Sequence, residues 1–356
     1  MAGKIYVLNQ RQEETYDAAG KAMRDVFHVL GDKGAHVIWS VPKHWKRCFK
    51  VLDFPWLGLF VLCVVGKGDT IFFSIPENGA KIRLLKRLKT IKGFQLLCFI
   101  NDLNAFRYGG NGIAEADGQG QKELGLIAAA DTVLVPNRNT VQMLNEVGVH
   151  ARLIPVGIWD YLMDEWQVAA MEKAGGQATR DSKSLHIAFA GNLDKSEFLM
   201  SMEVPEGIRM ELWGRLDDEK QQNLPVGCHY HGVLSSEEIP VAICTMDYGL
   251  VWDGVGKNGI EGGLGEYLRY NNSHKCALYL AAGVPVIVWR ESGMAHFVRE
   301  HDCGVEIGCL EEMTEVLHDA DYGRLKENAM RVALQLQRGY YLRKAIDTAI
   351  DKEMKQ

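Results

Sequence analysis

The sequence predicts an α/β protein built from two Rossmann-like halves that face each other across a cleft. The chain has 356 residues, too many for one ordinary domain, and 47% of them are hydrophobic, enough for a large core. Strand-like and helix-like segments alternate in both halves, which favours parallel sheets covered by helices. We therefore predict a first domain at 1–160, a second at 161–335, and a C-terminal helix at 336–356 that packs back on the first.

The first half contains short runs of β-branched and aromatic residues between longer amphipathic segments. The runs predict strands, and the longer segments predict helices. The predicted strands are Lys4–Leu8, His36–Trp39, Phe60–Val65, Thr70–Ser74, Phe94–Ile100, Thr132–Val135 and Val149–Ile154. The predicted helices are Thr15–Leu30, Ala80–Lys92, Gln121–Ala129 and Arg138–Val147.

A second series of alternating segments follows the polar stretch Gly175–Ser184. Its predicted strands are Leu185–Ala190, Arg209–Trp213, Cys228–His231, Tyr248–Val251 and Val286–Trp289. Its predicted helices are Glu237–Cys244, His274–Ala282 and Arg324–Lys355. Because ligands of open α/β sheets bind beyond the carboxyl ends of the strands, the loops after these strands are the candidate binding elements.

Composition excludes several classes of protein. The net charge is −6, which disfavours a general nucleic-acid binder. The eight cysteines include no C-x-x-C pair, so we expect reduced thiols, no zinc site and a cytoplasmic location. No signal peptide is expected, and the apolar run Trp56–Val65 is too short to span a bilayer, which takes about 20 residues.

The segment Tyr270–Trp289 carries the strongest indication of a ligand. It predicts a polar loop, a helix capped by the hydroxyl of Ser273, and a strand after Gly283, which suits the position just beyond a helix. Lys275 falls in the first helical turn, where the helix dipole disfavours a cation unless an anion binds there. The segment thus predicts a phosphate or diphosphate pocket. The alternative is an ordinary helix–strand unit whose lysine faces solvent.

Glycines follow three of the predicted strands in the second half. Gly191, Asn192 and Lys195 come after the first of these strands, where a glycine admits a ligand to the backbone and a lysine neutralises phosphate. Gly214 follows the second strand in the same way. The loop Gly232-Val233-Leu234 follows the third, and its backbone could bind the edge of a base. Plain turns explain these glycines equally well.

Two further loops could take part. After Tyr248–Val251 comes Trp252-Asp253-Gly254 and then the glycine-rich run Gly259–Gly265, which could form a lid or an ordinary surface loop. The loop after Gly232 contains Ser235 and Ser236, either of which would cap the next helix.

In the first half, Asp102 stands at the carboxyl end of a predicted strand and is our candidate general base. Arg107 could instead hold Asp102 in a structural ion pair. Glu115 and Asp117 are weaker candidates, and Asn9 and Tyr16 could bind an acceptor or simply cap and pack a helix.

The segment Lys81–Lys92 is a basic helix with leucines and an isoleucine on one side. Such a helix either contacts an anionic membrane or packs on the core with a solvated charged face, and the second interpretation is the more common. Trp45-Lys46-Arg47 nearby favours the membrane interpretation slightly.

Four blocks of sequence, FAGNLDKSEFL, YHGVLSSEEIP, YGLVWDG and YNNSHKCALYLAAGVPVIVWRESGMAHFV, resemble a bacterial GT-B glycosyltransferase family. It includes the β-1,6-galactofuranosyltransferases of O-antigen synthesis and the third glucosyltransferase of serine-rich adhesin glycosylation. The resemblance covers most of the chain and is strongest from Leu185 to Gly304. The segment INDLNAFRY also resembles a family motif, usually written with His where this chain has Asn101.

The resemblance implies a UDP-sugar donor in the second half, a glycan acceptor in the first half, no metal or other cofactor, and a homo-oligomer. Many retaining GT-B enzymes carry two glutamates eight positions apart, where this chain has Tyr270 and Leu278. We therefore expect inversion, with Asp102 as the base.

The diphosphate would bind Lys275, Lys195 and the amides of Asn272 and Ser273, beside Tyr270, and the base would bind Gly232–Leu234. The alternatives are a nucleotide-sugar epimerase and a non-catalytic partner subunit of a glycosyltransferase. Peripheral contact with the inner face of the plasma membrane through Lys81–Lys92 is a further expectation.

Overall fold

The computed structural model describes residues 3–8, 18–38, 52–75, 79–103, 118–177, 184–254, 256 and 262–351. The chain forms two compact units, each built on a six-stranded parallel sheet. The first unit comprises Met1–Thr15, Val26–Val156 and Leu342–Gln356, and the second comprises Tyr16–Asp25 and Gly157–Tyr341.

The sheet of the first unit has the strand order β2-β1-β3-β4-β5-β6. Its central strands are almost fully buried, because their apolar runs must be covered on both faces of a parallel sheet. The six strands are β1 Ile5–Leu8, β2 His36–Ile38, β3 Thr70–Ile75, β4 Gln95–Ile100, β5 Thr132–Val135 and β6 Arg152–Pro155.

Several helices of the first half pack against one another, and the helix Arg138–Glu146 packs on β5 and β6. In the helix Gly79–Lys92, for example, Ile82, Leu85 and Leu88 are buried at helical spacing. The helices are α1 Ala18–Asp32, α2 Asp53–Val64, α3 Gly79–Lys92, α4 Gly118–Ile127 and α5 Arg138–Glu146.

The sheet of the second unit has the order β12-β11-β10-β7-β8-β9. Its strands are β7 Leu185–Ala190, β8 Ile208–Trp213, β9 Cys228–Tyr230, β10 Tyr248–Val251, β11 Val286–Trp289 and β12 Gly304–Ile307. The chain runs from β7 outwards to β8 and β9, and then returns to β10 on the other side of β7. The carboxyl ends of β7 and β10 therefore form the topological switch point where ligands of such sheets bind.

The core of the second unit includes Phe189, Tyr248 and Trp252. The helices of the second half of the chain are α6 Glu165–Gln177, α7 Phe198–Ser201, α8 Asp218–Gln222, α9 Ile239–Ile243, α10 Gly262–Tyr267, α11 His274–Ala281, α12 Ala295–His301, α13 Met313–Asp319, α14 Tyr322–Leu336 and α15 Tyr340–Ile350. Within the described ranges, no helix is long and apolar enough to cross a bilayer.

The predicted strand Phe60–Val65 is wrong. These residues belong to α2, a 12-residue helix that begins at Asp53 and has Pro55 in its first turn. A short apolar run has no clear period, so it fits a buried strand as well as a helix. The length of the whole apolar segment distinguishes the two, because strands are usually shorter than helices.

The predicted single helix Arg324–Lys355 is also wrong in its described part. It divides into α14 and α15 at residues 337–339, where Gly339 has a φ of +72° that a helix does not allow. The strand β12 was not predicted, because three of its four residues are only half buried and its sequence lacks a clear apolar run.

Candidate functional site

The carboxyl ends of β7, β8 and β9 are joined by a continuation of the sheet ladder through three glycines. The Gly191 N–H donates to the Trp213 carbonyl at 2.9 Å, and the Gly214 N–H donates to the Gly232 carbonyl at 2.8 Å. The φ angles of Gly191, Gly214 and Gly232 are +150°, +134° and +86°. The edge of the sheet is therefore bare backbone, open to close approach by a ligand.

Gly214 cannot be replaced by a residue with a side chain without movement. A Cβ atom there would lie 1.7 Å from the Gly191 carbonyl oxygen. At Gly191 a Cβ atom would lie 3.1 Å from Cε of Lys275, so this glycine gives the lysine its space. The glycines predicted from sequence thus lie together with Lys275 at one edge.

The ammonium of Lys275 lies at the switch point between β7 and β10. It is 3.3 Å from the Asp253 carboxylate and 3.4 Å from the Trp252 carbonyl oxygen. It also lies 5.0 Å from the centre of the Phe189 ring, a cation–π distance. The side chain is only 16% exposed, so this charge is held in a fixed place and screened less than a surface lysine. The alternative in which Lys275 simply faces solvent is therefore not supported.

Ser273 is at the N-cap of α11, but its hydroxyl makes no capping hydrogen bond. The first turn closes instead through the Cys276 N–H, which donates to the Ser273 carbonyl at 3.0 Å. The predicted capping role of the hydroxyl is thus wrong, although the boundary is correct. A side chain that does not cap leaves the positive end of the helix dipole available to an anion.

The C-terminal end of α11 follows the prediction. Gly283 has a φ of +70°, and the N–H groups of Gly283 and Val284 donate to Leu280 and Tyr279 carbonyls, both at 2.9 Å. This is a Schellman motif, which fixes the direction of the chain into β11.

Tyr279 is a supporting residue that the sequence analysis missed. Its hydroxyl accepts a hydrogen bond of 2.7 Å from the N–H of Ala190, the last residue before Gly191. Its ring packs so closely on β10 that a Cβ atom at Gly249 would lie 2.2 Å from it. The signal was available, because Lys275 and Tyr279 are four residues apart and share one face of the helix.

Glu211 supports the loop at Gly232 through a hydrogen bond to His231, the residue before this glycine. Its two carboxylate oxygens lie 2.8 Å from Nδ1 of His186 and 2.6 Å from Nε2 of His231, and the His231 ring stacks on Trp213 at 4.6 Å. Burial acts to raise the pKa of Glu211, but the hydrogen bonds to His231 and His186 outweigh it and hold the pKa below its usual value. This cluster could not be found from sequence, because its members lie on β7, on β8 and just after β9.

The remaining predicted residues of the second half differ in exposure. Asn272 and Ser273 are buried, Tyr270 and Leu234 are half buried, and Asn192, Lys195 and Val233 are exposed. No hydrogen bond or ion pair joins the Lys195 ammonium to another described residue. Ser235 caps the turn before α9, accepting from the Glu238 N–H at 3.2 Å.

In the first unit, Asp102 follows the carboxyl end of β4 and is half buried. Beside it, the side-chain oxygen of Asn101 is buried without a hydrogen-bond partner among the described residues. The other candidates of this half lie outside the described residues. They are Asn9, Tyr16, Arg107, Glu115 and Asp117, together with Trp45-Lys46-Arg47; residues 259–261 of the glycine-rich run in the second half also lie outside them.

Within the described ranges, no three His, Cys, Asp or Glu side chains are placed to hold a metal ion. Asp217, in the adjacent acidic pair Asp217-Asp218, accepts from the Lys220 N–H at 2.8 Å and caps α8. Asp217 therefore has a local structural role.

Comparison with known proteins matches both halves to one family. The family model described as Glucosyltransferase 3-like, N-terminal domain, matches residues 4–158, and that described as Glucosyltransferase 3-like, C-terminal domain, matches residues 187–349. The chain is 25% identical over 352 residues to beta-1,6-galactofuranosyltransferase WbbI of Escherichia coli strain K12, covering 98% of each protein.

Two further similarities extend this finding. Glucosyltransferase 3 of Streptococcus gordonii is 24% identical over 297 residues, which cover 82% of this chain and 81% of that protein. Among solved structures, sucrose-phosphate synthase from Thermosynechococcus elongatus aligns with a TM-score of 0.57 at 14% identity, covering 99% of this chain and 97% of the other. At that identity the structural likeness bears on the fold alone.

Proposed function

Because the chain belongs to the Glucosyltransferase 3-like family and is a GT-B hexosyltransferase, we propose that it moves a hexose from a UDP-sugar to a glycan hydroxyl. The names of its relatives support galactofuranose or glucose as the transferred sugar. The acceptor glycan belongs to a bacterial polysaccharide or glycoprotein.

The observation that carries this proposal is the position of Lys275. A part-buried ammonium at the switch point, beside a bare glycine edge and a first helical turn that the Ser273 hydroxyl does not cap, suits the leaving diphosphate of a nucleotide-sugar. The amides of Asn272 and Ser273 would add hydrogen bonds to the diphosphate. The base would lie along Gly232–Leu234, with Lys195 as an exposed and therefore solvent-screened cation.

The proposed transfer inverts the anomeric centre. The Asp102 carboxylate takes the proton of the acceptor hydroxyl, and the hydroxyl oxygen of the acceptor forms a bond to the anomeric carbon. The bond from that carbon to the diphosphate oxygen breaks, and its electron pair leaves with UDP. Lys275 stabilises the charge that develops on the leaving group, which is the largest contribution we assign to the protein. We propose that no metal is needed for this step.

A thermal-shift screen of the purified chain against UDP, GDP, CMP and NAD, each with and without EDTA, tests the donor. A ligand that binds the native state raises the melting temperature by mass action. We expect a shift specific to UDP that survives EDTA. A shift with another nucleotide only would overturn the donor, and loss of the UDP shift in EDTA would overturn metal independence.

Incubation of UDP-glucose and of UDP-galactofuranose with the protein, followed by NMR of the sugar, separates transfer from epimerisation. We expect the sugar of the intact donor to keep its configuration, with release of UDP only as the sugar moves to an acceptor or to water. Conversion of the donor to an epimer would favour the nucleotide-sugar epimerase alternative.

A further inference from the structure

The helix α2 exposes an apolar face that the fold of the first unit does not use. Its buried side is formed by Asp53, Leu57 and Val61, four residues apart. Trp56, Leu59 and Leu62 point away from this side and are 42%, 57% and 47% exposed, and Val64 at the C-terminal end of the helix is 49% exposed. Leu52, just before the helix, is 53% exposed. Exposed apolar residues are common singly, but a contiguous group on one helix indicates a binding surface.

This apolar face contains no charge. The only ionisable side chain of α2 that carries charge at neutral pH is Asp53, which is buried and lies 3.8 Å from the Lys81 ammonium. A helix of 12 residues is about 18 Å long, well short of the ~30 Å of a hydrocarbon core. Such a helix can lie in the plane of a membrane surface but cannot span it.

The neighbouring helix α3 carries exposed cations. The two helices pack together, and the Lys92 ammonium donates a hydrogen bond of 2.8 Å to the Leu62 carbonyl. Arg83, Lys86 and Arg87 are exposed at helical spacing and form no ion pair with any described residue. Lys89, in contrast, is paired with Asp131.

We propose that α2 and α3 together bind the chain to an anionic lipid surface, with the α2 side chains among the acyl chains and the α3 cations at the headgroups. Apolar side chains with a tryptophan beside unpaired basic residues are the composition of a peripheral membrane helix. A second copy fits this surface less well, because a symmetric contact would bring the same three cations of both copies together.

Vesicle flotation of the full chain tests the proposal, using phosphatidylcholine vesicles with and without 30% phosphatidylglycerol. We expect binding to the anionic vesicles that weakens with added salt. The triple variant Arg83→Gln, Lys86→Gln, Arg87→Gln should bind on the order of 100-fold more weakly, since each cation near such a surface contributes about fivefold. The variant Leu59→Gln, Leu62→Gln should lose binding at least tenfold.

Two sets of exposed residues elsewhere provide matched controls. Met330→Gln, Leu334→Gln removes two exposed apolar side chains of α14, and Lys122→Gln, Lys173→Gln, Arg209→Gln removes three exposed cations. Both control variants should float like the wild type, and UDP binding and the melting temperature should be unchanged in all four.

Failure of the wild type to float with anionic vesicles would overturn the proposal, as would equal losses in test and control variants. A change in molar mass by light scattering in Leu59→Gln, Leu62→Gln, without vesicle binding by the wild type, would assign the surface to a second copy. Because UDP binding is measured separately, neither outcome bears on the donor.

Discussion

At the residue scale, the site depends on where single charges are held. Lys275 stands in a helical turn whose dipole opposes it, and Asp253 at 3.3 Å compensates part of that charge. A diphosphate would add a second anionic partner without moving the lysine. This explains in physical terms why a cation lies at this helix end.

Asp102→Asn removes the proposed base while keeping the size of the side chain. We expect kcat to fall by about 10²- to 10⁴-fold, because general base catalysis typically contributes that much. UDP affinity should be unchanged, since Asp102 is assigned to the acceptor step. Asp319→Asn, an exposed carboxylate on α13, serves as control. Steady-state kinetics with a normal kcat for Asp102→Asn would assign the base to another residue.

Glu211→Gln tests the support under the Gly232 loop. Ionised Glu211 has a pKa below its unfolded value, so its stabilising contribution is full above about pH 4.5 and is lost as pH falls through the folded pKa. We expect the variant to be about 2 kcal/mol less stable near pH 7, where the carboxylate accepts from both histidines.

The difference in unfolding free energy should shrink as pH is lowered towards 3, and urea titrations at pH 7, 5 and 3.5 measure it. If the difference in unfolding free energy between wild type and Glu211→Gln grew at low pH, ionised Glu211 would destabilise the fold, contrary to this prediction.

At the scale of the element, close backbone approach holds the site together. The helix α11 contacts β7 through the Tyr279 hydroxyl and β10 through the space left by Gly249, so Tyr279 links three elements. Adding a single methyl group at such a contact displaces the neighbouring side chains, because protein interiors have little free volume.

Gly249→Ala should destabilise the chain by at least about 2 kcal/mol, since its Cβ atom would overlap the Tyr279 ring. Gly31→Ala in α1 is the control, because its Cβ atom would meet nothing within 4 Å. A helical Gly→Ala change in open space should stabilise by about 0.5–1 kcal/mol. Equal melting temperatures for the two variants would contradict the packing described for Tyr279.

Elements with strong local signals were predicted from sequence and others were not. The predicted bounds of strands β5, β7, β10 and β11 are correct to the residue, because each is a short apolar run flanked by residues that disfavour a strand. The helix α2 was partly assigned as a strand, since its apolar residues surround the whole helix and leave no period to read.

At the scale of the whole molecule, the sequence predicted the fold class, and it directed attention to the edge of the second sheet where we propose the site. Gly191, Gly214, Gly232 and Lys275 could be found because each follows a strand or begins a helix. The pairing of Lys275 with Asp253 could not be found, since these residues are 22 positions apart and meet only through the strand order. For Asp102 the role stays a prediction.

We propose that the whole transfer reaction proceeds without a divalent metal ion. We expect the rate of sugar transfer to be the same within about twofold in EDTA and in Mg²⁺, because cationic side chains and helix N-termini take the place of a metal at the diphosphate. Loss of activity in EDTA that Mg²⁺ or Mn²⁺ restores would contradict this.

The central claim is that Lys275 binds the diphosphate of the donor, and calorimetric titration of wild type and Lys275→Met with UDP and with uridine tests it directly. We predict that the variant binds UDP at least tenfold more weakly and uridine with unchanged affinity, because only the diphosphate meets this charge. Equal affinities of wild type and variant for UDP, or equal losses for UDP and uridine, would contradict the account.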